Sequence, residues 1–150
     1  HSDHRRQRQM CIRDRTVPSQ LNSKQTIDAV LIASKILENL NYVGVLGVEL
    51  FHTKAGLIVN EIAPRVHNSG HWTQNGCSID QFEQHIRAIT GWPLGDGKRH
   101  TNVVMENLIG DEIKRAATLA LDGNISLHLY GKNDIKPGRK MGHFNLVKEK

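Results

Sequence analysis

The hydrophobic pattern is strongest in two apolar, β-branched runs, residues 45–51 and 57–63, on either side of a short polar turn. Runs of this kind are typical of the two strands of a β-hairpin. The turn contains Gly56, and a three-residue loop ending at this glycine places it at the left-handed position that such loops require. Apolar side chains occupy both alternating sets of strand positions, so we expect both faces of the hairpin to be covered.

A helix is predicted before the hairpin, over residues 23–39. Ser23 or Thr26 can act as its N-cap, because a hydroxyl oxygen accepts a hydrogen bond from the first helical turn. One face of the helix is expected to pack against the sheet, and it comprises Ile27, Val30, Leu31, Ser34, Leu37 and Leu40.

A second helix is predicted after the hairpin, over residues 78–90. It begins with a capping box in which Ser78 is the N-cap and Gln81 is the third helical residue. Gly91 is expected to end it. Its buried stripe is predicted at Ile79, Phe82, Ile86 and Ile89.

The remaining pattern divides the chain into three parts. Residues 1–15 lack apolar periodicity and are expected to form a disordered or non-native basic arm. The composition changes near residue 94, which places a boundary between residues 16–94 and a module of residues 95–150. That module is predicted to be small and β-rich, with strands at 103–109, 125–129 and 142–147 and a helix at 111–121.

Composition and charge narrow the class of protein. The formal charge is +5, but residues 1–15 alone hold five arginines against two aspartates, so a nucleic-acid surface is not required. No apolar run approaches the roughly 18 residues of a membrane span. Cys11 and Cys77 are isolated and fit a reducing compartment better than a disulfide framework. We therefore expect a cytoplasmic protein that binds neither nucleic acid nor membrane.

Candidate chemistry concentrates where the predicted register sets Glu49 opposite Glu61. Like charges that face each other repel, and a divalent cation or a shared proton would relieve the repulsion. Magnesium is commonly held by one or two carboxylates together with the phosphates of a nucleotide. A polar cluster with anion-binding and hydrogen-bonding groups follows at once, namely Arg65, His67, Asn68, Ser69 and His71.

Alternative interpretations of these residues, including ones without a function, stay open. The two glutamates could lie on a solvated face, and a register slip of one residue would separate them. The spacing of His67 and His71 could also serve zinc on a helix, although Ser69 and Gly70 between them disfavour a helix. Four cations near a Pro-Gly turn are either a solvated loop or a phosphate clamp, and they are Lys132, Lys136, Arg139 and Lys140.

Three motifs carry a family resemblance. The runs GVELF at 47–51 and NEIAPR at 60–65 resemble the last metal-binding hairpin of the ATP-grasp ligases. The continuation VHNSGHWTQNG at 66–76, and the segment from Lys132 through PGRKMGH at 137–143, resemble the ATP-dependent 5-(carboxyamino)imidazole ribonucleotide synthases of purine biosynthesis. The resemblance runs from about residue 43 to residue 147.

The resemblance implies an α+β fold: the C-terminal part of an ATP-grasp domain, with an antiparallel sheet and packed helices, followed by a small β-rich module. It implies a carbon–nitrogen ligase that converts aminoimidazole ribonucleotide, bicarbonate and ATP to 5-(carboxyamino)imidazole ribonucleotide, ADP and phosphate through carboxyphosphate. ATP and Mg2+ are the implied cofactors, and the full-length protein is expected to be a homodimer.

The resemblance also implies roles for individual residues. Glu49 and Glu61 would hold the metal, and Asn60 with Glu61 would contact the nucleotide. The catalytic group would comprise Arg65, His67 and Asn68. The ribose 5-phosphate would be bound by Lys132, Arg139 and Lys140.

Two expectations qualify this interpretation. The family's amino-terminal domain and its glycine-rich, lysine-bearing ATP lid are not found in the sequence, so we expect the isolated chain to be catalytically inactive. The alternatives are another ATP-grasp ligase, such as formate-dependent glycinamide ribonucleotide transformylase, a basic nucleic-acid-binding module, or a folded interaction fragment without chemistry. The run from His67 to Trp72 favours the carboxylating enzyme over the formate-using one.

Overall fold

The computed structural model describes residues 14–148 and divides into two compact units. The site unit comprises Ser19–Arg99, and the sheet unit comprises the described residues before Ser19 together with those from His100 onward. The predicted boundaries after residues 15 and 94 stay predictions about domain organisation, and the division by contacts falls a few residues later at each point.

The structure contains both α-helices and antiparallel β-strands, which confirms the predicted α+β class. In chain order they are β1 (Asp14–Val17), α1 (Ser23–Leu40), β2 (Gly47–Thr53), β3 (Gly56–Ala63), α2 (Thr73–Gly76), α3 (Gln81–Thr90), β4 (Asn102–Ile109), α4 (Ala116–Leu119), β5 (Ile125–Leu129) and β6 (Lys140–Lys148). Two 3-10 turns, Asn68–Gly70 and Gly110–Arg115, complete the order. The helix predicted at 111–121 is therefore a 3-10 turn followed by the single turn of α4.

The β2–β3 hairpin confirms that Glu49 faces Glu61, but the predicted loop is wrong. Thr53 pairs with Gly56, so the connection has two residues instead of three. The register then shifts by one at a β-bulge, where Asn60 is the extra residue. The bulge compensates for the shorter loop, and the two glutamates meet as predicted.

Both longer helices begin at caps that the sequence analysis did not choose. The Asn22 side chain accepts from the third helical N–H of α1 at 2.9 Å. The Asp80 carboxylate accepts from two N–H groups in the first turn of α3, at 2.8 and 3.0 Å. The predicted caps Ser23, Thr26 and Ser78 are wrong, because an amide or carboxylate oxygen nearby already satisfies the free N–H groups.

The apolar stripes of the site unit are more exposed than predicted. In α1, Ile27, Val30 and Leu31 are all more than half exposed, and in α3 Ile86 and Ile89 are about half exposed. The hairpin positions Ile58, Val59 and Ile62 are also exposed, so the expectation that both of its faces are covered is wrong for this chain. An amphipathic pattern identifies the apolar face of an element, but burial needs a second surface against it.

The sheet unit is a four-stranded antiparallel sheet in the order β1–β4–β6–β5. It confirms the strands predicted near 103–109, 125–129 and 142–147. The central strands β4 and β6 supply the core side chains, which are Val103, Met105, Leu108, Met141 and Phe144. This unit therefore has the larger share of fully buried residues in residues 14–148.

The first strand departs from the expectation of a disordered arm. Asp14 pairs with Glu106 and Arg15 with Met105 through the backbone, which lets a polar run join an edge of the sheet. Residues 1–13 of the predicted arm lie outside the described residues.

Within residues 14–148, no helix has the length and apolarity that crossing a membrane would require.

Candidate functional site

Two carboxylates and one imidazole meet at the hairpin. Glu49 Oε1 lies 4.0 Å from His67 Nδ1, and Glu61 Oε1 lies 3.8 Å from His67 Nε2. The side chains of His67 and Glu49 are 12% and 20% exposed, whereas that of Glu61 is 55% exposed. The interpretation of two ordinary solvated glutamates therefore fits Glu61 but not Glu49.

Two backbone features bring these groups together. Gly47 allows His67 to approach β2, because a Cβ at Gly47 would lie 2.7 Å from the Cβ of His67. The bulge residue Asn60 donates from Nδ2 to Glu49 Oε2 at 3.4 Å. The hairpin thus gathers the predicted metal and nucleotide residues Glu49, Asn60 and Glu61 around the predicted catalytic residue His67.

The ring of His67 is oriented by its own loop. The backbone N–H of Ser69 donates to His67 Nδ1 at 3.4 Å, and the Ser69 hydroxyl lies 2.8 Å from the same nitrogen. Since Nδ1 accepts, the hydrogen of the neutral ring sits on Nε2, the nitrogen that faces Glu61. The loop therefore directs an N–H group toward Glu61.

A buried side chain on α3 holds this loop, and the sequence analysis missed its role. Gln81 is 6% exposed and contacts the backbone N–H and C=O of His67, each at 2.9 Å. Its Nε2 also lies 2.9 Å from Nδ1 of His71. The sequence placed Gln81 in a capping box; a contact from a side chain to a backbone 14 residues away has no periodic signal that could have revealed it.

The other two predicted catalytic residues share the loop with His67. Arg65 is exposed, and its Nη1 donates to the carbonyl of Val66 at 2.9 Å. Asn68 is half-buried and begins the 3-10 turn, where its carbonyl accepts from the N–H of His71 at 3.2 Å. This hydrogen bond of Arg65 is local to the loop and does not join Arg65 to the carboxylate pair.

The donor set suits magnesium better than zinc. Carboxylate and amide oxygens are hard ligands of the kind that Mg2+ prefers. Within residues 14–148, no group of three or more His, Cys, Asp or Glu side chains could hold a metal ion. Glu49 and Glu61 would therefore hold magnesium only together with other oxygens, as from nucleotide phosphates. The zinc alternative at His67 and His71 finds no support among these residues.

The predicted phosphate residues lie in the sheet unit. Lys132 Nζ donates to the carbonyl of Lys140 at 2.6 Å and lies 5.3 Å from the ring centre of Tyr130. Arg139, next to Lys140, donates from Nη1 to the carbonyl of Asp134 at 3.2 Å. The turn between β5 and β6 thus brings Lys132 to the start of β6, where Arg139 and Lys140 lie.

Three ring side chains support this turn, of which His143 is buried and His128 and Tyr130 are half-buried. The Tyr130 hydroxyl lies 2.8 Å from Nδ1 of His143, and the ring of His143 stacks on that of His128 with centres 4.6 Å apart. Burial lowers the pKa of His128, because the charged imidazolium is poorly solvated there. The His128 ring is therefore uncharged at neutral pH.

The chain belongs to the ATP-grasp family, since the sequence model described as the ATP-grasp domain matches residues 2–82. This match includes the segment that the sequence analysis set apart as an arm. The model described as the phosphoribosylaminoimidazole carboxylase C-terminal domain matches residues 103–150. The two matches confirm the predicted combination of an ATP-grasp part with a small C-terminal module.

Known relatives show which enzymes of the ATP-grasp family this chain resembles. The chain is 52% identical over 134 residues to the N5-carboxyaminoimidazole ribonucleotide synthase of Brucella melitensis, with 89% of this chain and 37% of the relative covered. It is 50% identical over 129 residues to the synthase of Escherichia coli, with 85% of this chain and 35% of the relative covered. The predicted resemblance to these synthases is confirmed, and the chain spans little more than a third of their length.

A solved structure shares the fold. The N5-carboxyaminoimidazole synthase of Aspergillus clavatus, in complex with ADP and aminoimidazole ribonucleotide, aligns with a TM-score of 0.85 at 33% identity. The alignment covers 91% of this chain and 39% of that structure. The architecture predicted from the sequence is thereby confirmed, while the roles of single residues stay predictions.

Proposed function

We propose that this chain is a carboxyl-terminal segment of an ATP- and bicarbonate-dependent ligase that makes 5-(carboxyamino)imidazole ribonucleotide from aminoimidazole ribonucleotide. The relatives and the solved structure reported above favour this carboxylating ligase over the formate-using transformylase. The predicted division into residues 16–94 and 95–150 is kept as part of the proposal.

The observation that carries the proposal is the meeting of Glu49, Glu61 and His67 at the hairpin. When bound, Mg2+ would supply the positive charge that offsets the negative charge opposing phosphoryl transfer. Glu49 and Glu61 would hold the ion, and Asn60, which donates to Glu49, would keep that carboxylate in position.

Arg65, His67 and Asn68, which lie in the loop after β3, would bind and orient the anionic carboxyphosphate intermediate. In the proposed reaction, bicarbonate would attack the γ-phosphorus of ATP with ADP as the leaving group. The resulting carboxyphosphate would split into carbon dioxide and inorganic phosphate, and the amine of the ribonucleotide would add to the carbon dioxide and lose a proton. Arg65 would bind the carboxyphosphate through its fork of donors. His67 presents an N–H at Nε2 and Asn68 an amide, and both would orient the reacting groups.

The basic turn would bind the ribose 5-phosphate of the ribonucleotide. Arg139 offers paired donors for phosphate oxygens, while Lys132 and Lys140 offer compact charges. Lys132 is held between a carbonyl and the Tyr130 ring, so part of its side-chain entropy is already lost before phosphate binds.

The partners and the location complete the proposal. The small-molecule partners are aminoimidazole ribonucleotide and bicarbonate, and nucleic acid and membrane are not partners. The resemblance implies a homodimer for the full-length protein and a cytoplasmic location, which sizing and fractionation of that protein would test.

A chimera tests the proposed function. Residues 19–148 of this chain would replace the matching segment of the Escherichia coli synthase, to which the chain is 50% identical. We expect formation of ADP that depends on both bicarbonate and aminoimidazole ribonucleotide. Glu49→Gln or Glu61→Gln should lower kcat by about a hundredfold or more, while the exposed Glu38→Gln should not.

Two results would count against the proposal. A folded chimera without this activity, or one in which Glu49→Gln is as active as Glu38→Gln, would contradict it. Product formation by the isolated chain would contradict the narrower expectation that this segment alone is inactive.

A further inference from the structure

We infer that Gln81 is a positioning residue of the candidate site, which places His67 beside the carboxylates and fixes the hydrogen of neutral His71 on Nε2. The inference deepens the proposed function and rests on it for its chemical meaning. The hydrogen-bond geometry itself can be tested without any ligase activity.

The orientation of the Gln81 amide is determined by the backbone. Its Oε1 accepts from the N–H of His67, and its Nε2 donates to the C=O of His67, each at 2.9 Å. A backbone N–H can only donate and a carbonyl can only accept. Exchanging the amide oxygen and nitrogen would place donor against donor and acceptor against acceptor, so a single orientation remains.

This orientation decides the tautomer of His71. The amide nitrogen of Gln81 has two hydrogens, and with one given to the carbonyl of His67, the other faces His71 Nδ1 at 2.9 Å. Nδ1 must therefore accept, which leaves the hydrogen of the neutral ring on Nε2. The His71 ring also stacks on Phe82 with centres 5.6 Å apart, which restrains its rotation.

Neighbouring contacts also hold Gln81 in place. Its backbone N–H donates to Thr73 Oγ1 at 3.0 Å, and that hydroxyl donates to the carbonyl of Gly70 at 2.6 Å. Gly70 leaves the space that the Gln81 side chain fills, and a Cβ there would overlap it. Buried and half-buried groups therefore connect α3 to the loop through several hydrogen bonds.

The tautomer limits what His71 does in the proposed reaction. Nδ1 is occupied as an acceptor, so it is not free to take a proton from a substrate. With its hydrogen on Nε2, the neutral ring can act only as a donor at that nitrogen. His71 is thereby assigned to donation, and Gln81 acts through it.

Nitrogen NMR of the 150-residue chain tests the inference. Above the ordinary histidine pKa of about 6.5, we expect the His71 signals of a ring with a bare Nδ1 and a protonated Nε2. Gln81→Glu keeps the shape of the side chain but offers only acceptors, so a hydrogen should move onto Nδ1 of His71.

Gln84→Glu is the matched control. Gln84 lies one turn further along α3 and contacts the N–H and C=O of Gly95 at 3.0 and 2.8 Å. The same substitution there should leave the His71 signals unchanged. If Gln81→Glu does not fold, scalar coupling across the hydrogen bond from Gln81 Nε2 to His71 Nδ1 in the unmodified chain decides the question.

A hydrogen on Nδ1 of His71 in the unmodified chain would overturn the inference. So would His71 signals that Gln81→Glu does not change, or the absence of the scalar coupling. Failure of the chimera assay would leave these NMR results standing, so the two proposals fail separately.

Discussion

The two units of this chain are stabilised in different ways. The sheet unit buries Met105, Leu108 and Phe144 between paired strands, together with polar side chains at Asn107 and Asn145. The site unit leaves most apolar positions of α1 and α3 exposed. In this unit, polar side chains of α3 contact backbone groups that are distant in sequence.

Three such contacts are made by one face of α3. Gln81 contacts His67, Gln84 contacts Gly95, and Nδ1 of His85 accepts from the N–H of Val45 at 3.1 Å, just before β2. Hydrogen bonds are directional, so they define loop geometry more narrowly than apolar contacts do. The difference suggests a division of roles: polar contacts in the site unit position the candidate site residues, while the sheet unit supplies a well-packed core.

The largest expected effect contrasts the same substitution in the two units. Leu108 is fully buried in β4, and Leu31 in α1 is 55% exposed. We expect Leu108→Ala to lower the free energy of unfolding by about 2–5 kcal/mol, because it leaves a cavity. Leu31→Ala should cost less than about 1 kcal/mol. Urea denaturation measures both, and equal costs would break the comparison.

An intermediate effect is expected where a polar contact of the site unit is crowded. Gly70→Ala should cost about 1–3 kcal/mol, because the new methyl group displaces Gln81 from its hydrogen bonds. Gly97→Ala is the control, since a Cβ at Gly97 would lie an ordinary 3.9 Å from Gln84 Nε2. A Gly70→Ala variant as stable as Gly97→Ala would show that the Gln81 contact is dispensable.

The smallest expected effect is a pH dependence in the sheet unit. Burial lowers the pKa of His128 below its usual 6.5, so the unfolded chain binds more protons than the folded one just below that pH. The free energy of unfolding should therefore fall as pH decreases through 6.5, and level off below the folded pKa. His128→Phe should reduce this slope, and an unchanged slope in urea titrations across that range would contradict the assignment.

The hairpin shows what the sequence could predict. Two apolar, β-branched runs and a glycine located both strands and set Glu49 against Glu61, and the structure confirms that pairing. The loop length and the bulge at Asn60 were not predictable, because two one-residue errors cancel in the register. The correct pairing was thus reached through an incorrect turn.

The remaining differences have a common physical cause. The stripe of Phe82, Ile86 and Ile89 was correctly recognised as apolar, but periodicity carries no information about what covers a face. Gln81 and Asp14 were missed because their contacts depend on backbone groups far away in sequence. The family motifs identified the family correctly, but they carried no information about the contacts that support the candidate site.

The central claim is that Glu49 and Glu61 together hold the metal of a metal-bound nucleotide. Its most direct test is a titration of the chain with Mn2+ and ADP, because Mn2+ takes the oxygen ligands of Mg2+ and broadens nearby NMR signals. We predict that broadening centres on Glu49, Asn60, Glu61 and His67, and that it is lost in the Glu49→Gln, Glu61→Gln double variant but kept in Glu38→Gln. Broadening that centres elsewhere, or that persists in the double variant, would contradict the account.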